Sequence, residues 1–435
     1  MSISIAQKSD LSRPKKNPKI ALVLAGGAIS GGAFKLGGLV ALDRFLKNRK
    51  VTEFDIYVGL SAGAFLSAFV AGGIPPDELL KALDGKSERV FRFTFYDFYW
   101  PAVGEYARRA GMLLRDLITV WPSFVSGLVR HLSGNRERVR EQLRDLLRAP
   151  GYAAIENMLG PMVAAAVKET PIPNLGKYVP AGIFDNSRIE RFVRLNLLNN
   201  NIPNDFRMLY RERGVALYIT ATNLNTARGV VFGHDADHTV SISEAVQAST
   251  AIPGFYVPPA IRGEEYLDAS VRKTANASLA VYKGADLIIA YNPFRPFMNR
   301  GRYQLNPSRA SLSDFGMGMV INQSFRALAQ SRLYASLERL KLDPNFKGDL
   351  ILIEPKETDA EFFNLNPLAV WNRGIAARQG YDSVRRALEL NFSEVQRILD
   401  AYGIECDLSG LSEDATEAEE VHRGEAQRPR LSLVK

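Results

Sequence analysis

The sequence predicts an α/β protein built on a mostly parallel central sheet with helices on both faces. Three observations lead there. Five short apolar runs, at residues 20–24, 54–58, 215–221, 287–291 and 350–354, read as buried strands. Helical stretches alternate with them, including 33–46, 314–340 and 378–401, and such alternation is how a chain covers both faces of a parallel sheet. The chain has 435 residues and 46% hydrophobic content, enough for one large α/β core plus additions.

The flanks of that core have a different composition. Residues 1–18 are polar and basic, with RPKKNPK leading into the first strand, and read as a flexible arm. The α/β body runs over 19–355, interrupted by an insertion at about 91–180. A helical region follows at 356–408, then a disordered charged tail at 409–435. Within that tail, residues 412–420 carry five acids (Glu413, Asp414, Glu417, Glu419, Glu420) and no base. No internal repeat is visible.

The second strand run leads into VGLSAGAFLSAF, residues 58–69, where Ser61 stands between Gly59 and Gly63. A strand, a sharp turn and a helix make the setting in which G-x-S-x-G presents a nucleophile. The rival reading is a small residue in a tight turn. A serine nucleophile needs a base. The four histidines are His131 in an Arg-rich stretch, His422 in the polar tail, and His234 and His238 in the turn-like FGHDADHTV. None has the surroundings of a triad base, and the FGHDADHTV window lacks a metal-binding spacing. A carboxylate is the alternative. Asp268 in EEYLDASV follows a short strand at 265–267, and a strand end in an α/β sheet faces the ligand side. Its other reading is an Asx-turn carboxylate. A third requirement is an oxyanion site. After the first strand comes the loop Gly26-Gly27-Ala28-Ile29-Ser30-Gly31-Gly32, with a helix expected from residue 33. It is no P-loop, since Gly32-Ala33-Phe34 replaces Gly-Lys-Ser/Thr, and it lacks G-x-G-x-x-G. Its N–H groups either hold an oxyanion or belong to a tight strand–helix turn.

These three pieces, in this order, resemble the patatin-like phospholipases. That family carries G-G-G-x-[RK]-G after its first strand, then G-x-S-x-G, then D-G-[GA]. Residues 182–193 (GIFDNSRIERFV), 219–233 (ITATNLNTARGVVFG) and 243–259 (SEAVQASTAIPGFYVPP) are similar to it as well, so the resemblance covers roughly 19–293 apart from the insertion. It implies a three-layer sandwich and a lipid acyl hydrolase of the phospholipase A or lysophospholipase kind, working through a Ser–Asp dyad. Carried onto this chain, Ser61 is the nucleophile and Asp268 the base. Gly59 and Gly63 frame the elbow, and Gly26, Gly27, Ala28 and Gly31 form the oxyanion hole. The mechanism needs no metal or organic cofactor. Two departures stand out. Ala28 and Ser30 occupy the third glycine and basic positions of the loop, and Asp268-Ala269-Ser270 lacks the glycine after the aspartate. They leave open a catalytically weak or inactive lipid-binding scaffold, and a lipid acyltransferase is a further alternative, since an acyl-enzyme can pass to an alcohol as well as to water.

The insertion opens with FRFTFYDFYW, residues 91–100, seven aromatics in ten. Apolar residues then recur at helical spacing, and residues 92–148 hold ten Arg, six acids and no Lys. Apolar stripes flanked by Arg suit a lid or an interfacial membrane contact, with Arg108, Arg109, Arg115, Trp100 and Trp121 as contact residues. The alternative is a helical subdomain packed on the core. Net charge of +8 favours anionic partners. With no nucleic-acid motif present, the expected partners are a phospholipid or other acyl-ester lipid and an anionic membrane surface. The sequence carries no signal for an oligomeric state. Cys406 is the single cysteine, which excludes an intrachain disulfide and suggests a reducing compartment. No apolar run reaches the ~18 residues of a membrane span, and the N-terminus lacks a secretory apolar stretch. The expectation is a cytoplasmic protein, peripheral at the inner membrane.

Overall fold

Ile20, Leu22 and Leu24 alternate with Ala21 and Val23, and all five are fully buried. A strand with apolar side chains on both faces belongs inside a sheet covered on both sides. The computed structural model describes residues 2–119, 121–148, 151, 155–161, 164, 175–300 and 311–411. It places this strand in the middle of a nine-stranded sheet. The strands are β1 (Ser2–Gln7), β2 (Ile20–Leu24), β3 (Ile56–Leu60), β4 (Ala216–Asn223), β5 (Gly229–Gly233), β6 (Ala260–Ile261), β7 (Glu264–Leu267), β8 (Leu287–Tyr291) and β9 (Asp349–Glu354). Their order is β1-β9-β8-β2-β3-β4-β7-β6, with β5 paired to β4. The run β9-β8-β2-β3-β4 is parallel, with Leu22 opposite both Ile289 and Tyr57, and Tyr57 opposite Leu217. The edges are antiparallel.

The helices include, in chain order, α1 (Ala28–Phe45), α2 (Ala62–Ala71), α3 (Pro76–Asp84), α4 (Val103–Thr119), α5 (Trp121–Gly134), α6 (Arg136–Arg148), α7 (Ser187–Asn199), α8 (Ile242–Ser249), α9 (Met317–Leu342), α10 (Arg373–Leu390) and α11 (Phe392–Ala401). The period-2 alternation of the strands divides two cores. Ile20, Leu22 and Leu24 meet Phe34 and Leu39 of α1, Phe69 of α2, Val384 of α10 and Ile398 of α11. Ala21, Val23, Ile56 and Val58 meet Leu333 and Leu337 of α9. The result is the expected three-layer sandwich. None of the described helices is long and apolar enough to cross a membrane.

The chain forms two compact units, Met1–Trp100 with Phe184–Lys435, and Pro101–Ile183. The expected insertion at 91–180 is therefore displaced: its aromatic opening, residues 91–100, belongs to the first unit. The second unit is helical and holds α4, α5 and α6. Inside it, the buried Glu105 accepts from Arg108 and Arg109, each at 2.6 Å, and from the Ala181 N–H at 3.1 Å. Burial alone would raise the Glu105 carboxyl, but these donors outweigh it and hold it down to about 2. Asp116 is likewise enclosed, against Lys177 and Tyr178.

Three boundaries need correction. The arm expected over 1–18 contributes a strand: β1 pairs antiparallel with β9, Ile3 opposite Ile353 and Ile5 opposite Ile351. The alternation in SISI already carries that pattern. Past the strand, the fully buried Asp349 accepts from the N–H groups of Lys8 (2.8 Å) and Ser9 (3.0 Å) and from the Tyr402 hydroxyl (2.9 Å). The helix expected over 378–401 is two helices, because Asn391 leaves helical geometry (φ −117°, ψ 20°) and its side-chain amide donates to the Ala387 carbonyl. The tail expected over 409–435 is corrected at its start, since Ser409–Leu411 forms a short turn with Leu411 buried. Its remainder, 412–435, lies outside the described residues.

Candidate active site

Two neighbouring parallel strands deliver the site. β3 ends at Leu60 and α2 begins at Ala62, so the whole turn between them is Ser61. Its backbone is at φ 53°, ψ −126°, a conformation that costs a non-glycine residue about 1–3 kcal/mol. The elbow glycines exist for close approach. A Cβ at Gly63 would run into the Leu24 carbonyl oxygen, and one at Gly59 would lie 2.5 Å from the Ala64 Cα. The Ser61 N–H donates to the Ser249 hydroxyl of α8 at 2.8 Å, which fixes the turn from the other side.

The glycine-rich loop is shorter than expected. α1 begins at Ala28, not at residue 33, and Gly27 precedes it at φ 154°. Ala28 itself is at φ 51°, a left-handed conformation that strains alanine. Gly31 is a correction to the expected oxyanion set: its N–H donates to the Gly27 carbonyl at 2.9 Å as part of the first helical turn. The N–H groups of Ile29 and Ser30 both donate to the Pro367 carbonyl at 3.0 Å. The N–H groups of Gly26, Gly27 and Ala28 remain without an acceptor among the described residues. Gly26 is also close to the serine, since a Cβ there would lie 3.3 Å from the Ser61 Cβ.

Asp268 follows β7 and is 1% exposed. It caps the short turn Ala269–Val271, accepting from the Ser270 N–H (2.8 Å) and the Ser270 hydroxyl (2.6 Å) on one carboxylate oxygen. The Asx-turn reading holds, and the same carboxylate lies near enough to the Ser61 side chain for it to bear on the Asp268 charge. Burial pushes its carboxyl above the ordinary range, while Ser270, Ser61 and the charge of Lys35 pull the other way. The missing glycine costs nothing in conformation, as Ala269 is not among the residues with positive φ. Arg332 braces the turn from α9, donating to the Ser270 carbonyl at 2.8 Å and to the Val271 carbonyl.

Three contributors escaped the sequence reading: Ser249, Ser270 and Lys35. Ser270 sits two residues after the aspartate, the ordinary spacing of an Asx-turn donor. Ser249 is 188 positions from Ser61, and no local pattern links them. Lys35 lies on α1, fully buried, and its ammonium donates to the carbonyls of Ala25 and Gly26, the latter at 3.0 Å. Burial pushes the ammonium down to about 7 against the upward pull of Asp268.

A pocket with about 800 Å³ of empty space, part of it open solvent, is lined by Ala28, Ile29 and Ser61 together with a largely apolar wall. The wall includes Phe65, Leu66, Phe93, Phe98, Ile189, Ile252, Phe255 and Leu368. Phe93 and Phe98 come from the aromatic run expected to serve the insertion, and Phe93 stacks on Phe192 at 4.4 Å. Arg373 also lines the pocket, and its guanidinium donates to the Leu83 and Val370 carbonyls.

The remaining candidates lie elsewhere. His234 stacks on Tyr210 at 3.9 Å, His238 pairs with the Ala236 carbonyl, and neither lines the pocket. The His131 side chain and all of His422 lie outside the described residues. Among the described residues, no group of three or more His, Cys, Asp or Glu could hold a metal ion. Of the expected membrane-contact residues, Arg109 is held within its unit by Glu105 and by the Lys177 carbonyl at 2.6 Å. Arg108 and Arg115 keep 60% and 68% of their side chains exposed while pairing with Glu105 and Asp116. Trp100 lies under the Arg188 guanidinium, 3.4 Å from its ring centre. Trp121 opens α5, and its side chain is outside the described residues.

A family model described as Patatin-like phospholipase matches residues 22–281, a span holding both strand–helix turns and Asp268. Among solved structures, VipD from Legionella pneumophila is 16% identical, with a TM-score of 0.38 over 98% of this chain and 78% of that one. ExoU from Pseudomonas aeruginosa, in a complex with SpcU, is 16% identical with a TM-score of 0.23, covering 98% of this chain and 63% of that one. Human GIVD cytosolic phospholipase A2, bound to methyl gamma-linolenyl fluorophosphonate, is 11% identical with a TM-score of 0.30 over 92% and 61%. At such identities and scores the assignment rests on the family match.

Proposed function

The chain belongs to the patatin-like phospholipase family, and from that premise we propose that it hydrolyses acyl esters of lipids with Ser61 as nucleophile and Asp268 as base. The observation carrying this reading is the strained Ser61 at the β3–α2 turn, near enough to the buried Asp268 carboxylate to bear on its charge, beside loop N–H donors that have no acceptor among the described residues. Ser61 Oγ attacks the ester carbonyl carbon as its proton passes to Asp268. The N–H groups of Gly27 and Ala28 hold the oxyanion. Collapse expels the alcohol, which takes the proton from Asp268, and leaves an acyl group on Ser61. Water then attacks the acyl carbon and gives a proton to Asp268. The fatty acid leaves and Ser61 recovers its proton. The largely apolar pocket wall suits an acyl chain.

The second unit supports an anionic membrane surface as partner. Leu114, Leu117 and Ile118 of α4, Val125 and Val129 of α5, and Leu147 of α6 are exposed on helices that also bear Arg115, Arg138 and Arg144. This reading puts the protein on the cytoplasmic face of the inner membrane, which fractionation at low and high salt checks.

The test of the hydrolase reading is turnover of a long-chain ester by wild type and Ser61→Ala. Loss of activity in a variant with an unchanged melting curve is expected; wild-type turnover in the variant contradicts the assignment. Repeating the wild-type reaction with an acceptor alcohol separates hydrolysis from acyl transfer.

A further inference from the structure

Lys35 is a fully buried ammonium on a helix whose next turns are apolar, and the mechanism above gives it no task. Burying a charge is expensive unless it is paired and hydrogen-bonded. Its donors go to two consecutive carbonyls, Ala25 and Gly26, at the base of the oxyanion loop. A trans peptide is planar, so the Gly26 carbonyl and the Gly27 N–H share one plane and point in opposite directions. An ammonium holding the first therefore aims the second away from itself. Its other partner is electrostatic: Lys35 and Asp268 each bear on the other's charge, though they come from α1 and the end of β7. Among the described residues Asp268 is the charged group acting on Lys35. On the β8 side, Tyr291, whose hydroxyl donates to the neighbouring Phe34 carbonyl, is held neutral by burial.

We propose that Lys35 is a positioning residue for the reaction: its ammonium clamps the Ala25 and Gly26 carbonyls so that the Gly27 N–H faces the oxyanion, and it balances the charge of the buried Asp268. The inference rests on the hydrolase reading. Lys35 touches neither substrate nor the reacting atoms; it acts through the loop and through the base.

The test uses the full chain, a soluble short-chain ester and three variants. Lys35→Met keeps the length but removes donors and charge, Lys35→Gln keeps a donor without charge, and Lys35→Arg keeps both. For Lys35→Met, kcat is expected to fall roughly 10–10²-fold, less than the 10²–10³ of a lost oxyanion donor, with KM little changed. The acid limb of its kcat/KM profile should move to higher pH by about one unit, because the base loses a neighbouring positive charge. Lys35→Gln should share that shift while losing less kcat, and Lys35→Arg should restore the limb. A packing role alone would lower activity without moving the limb. Where Lys35→Met gives no folded protein, the Gln and Arg pair carries the same comparison. Wild-type kcat in the folded Met or Gln variant would overturn the proposal, as would an acid limb that stays in place. The hydrolase reading fails separately, through wild-type protein that neither turns over ester nor reacts with a fluorophosphonate.

Discussion

The turn after β2 and the turn after β3 are the same device used for opposite purposes. Each takes a parallel strand into a helix through one non-glycine residue held at positive φ, Ala28 at 51° and Ser61 at 53°. On the proposed mechanism the strained residue of the elbow offers its side chain, so its identity decides the chemistry. The strained residue of the loop would offer its backbone N–H, with its side chain incidental. That explains why an alanine can stand where the family has a glycine, at the cost of strain but not of donors. It also means the two turns should respond to substitution in different ways.

The largest expected effect is on folding. Gly63→Val would drive side-chain carbons into the Leu24 and Ala25 carbonyl oxygens at the heart of the sheet. Soluble expression with a native melting transition would show that the elbow tolerates what its geometry forbids. Next comes Asp268→Asn, which keeps the shape and removes the base; turnover should drop about 10²–10⁴-fold. The same variant should melt at a higher temperature near neutral pH. The folded-state carboxyl is raised by burial, so its anion destabilises the native state at any pH above that raised value, and the penalty vanishes as pH falls through it. The gain in melting temperature should shrink on acidification, and wild-type activity should fail at a pH above the usual carboxylate range. A larger loss from replacing His234 or His238 would transfer the base to a histidine.

The loop side of the comparison is milder. Gly27→Ala places a methyl 2.8 Å from the Pro293 ring and 3.1 Å from the Gly31 backbone, at a φ that alanine rarely adopts. A fall of roughly tenfold or more in kcat is expected as a donor shifts, measured on soluble ester. Ala28→Gly is the converse. It relieves left-handed strain and keeps the N–H, so activity should stay within about threefold and stability should rise by up to ~1 kcal/mol in denaturant titration. A large loss would mean that the Ala28 methyl, which lines the pocket, contacts substrate. The smallest effect is expected at the second unit. Arg115→Gln should weaken sedimentation with anionic vesicles by a few fold, and salt should do the same, while soluble-ester turnover holds. Arg115, largely exposed although paired with Asp116, suits this test better than Arg109, which is mostly covered as well as held by Glu105.

The sequence made the local parts of this site legible and left the distant ones hidden. The parallel runs at 20–24 and 287–291 were readable to the residue because a strand buried on both faces is apolar throughout. Ser61 was readable because the elbow lies within five residues. Asp268 was legible as a candidate from its place at a strand end, and the family motif favoured the base over the Asx-turn reading, since an Asp in a turn is common. Ser249 reaches the elbow from 188 positions away, and Lys35, though only nine and ten positions past the carbonyls it holds, bears on Asp268 from a different element, which no spacing rule reports. The early start of α1 was obscured by Gly26, Gly27, Gly31 and Gly32, which read as loop residues although Gly31 and Gly32 are helical. The Pro367 carbonyl, which takes the Ile29 and Ser30 N–H groups, comes from more than 300 positions away and gave no sign in the loop itself.

Whether Ser61 is the nucleophile is read most directly by mass spectrometry of the protein after reaction with a long-chain fluorophosphonate, which bonds phosphorus to an activated serine oxygen and expels fluoride. A single adduct on the peptide containing Ser61 is expected, formed more slowly in Asp268→Asn and absent in Ser61→Ala. An adduct on another residue, or esterase activity in wild type with Ser61 left unmodified, would contradict it.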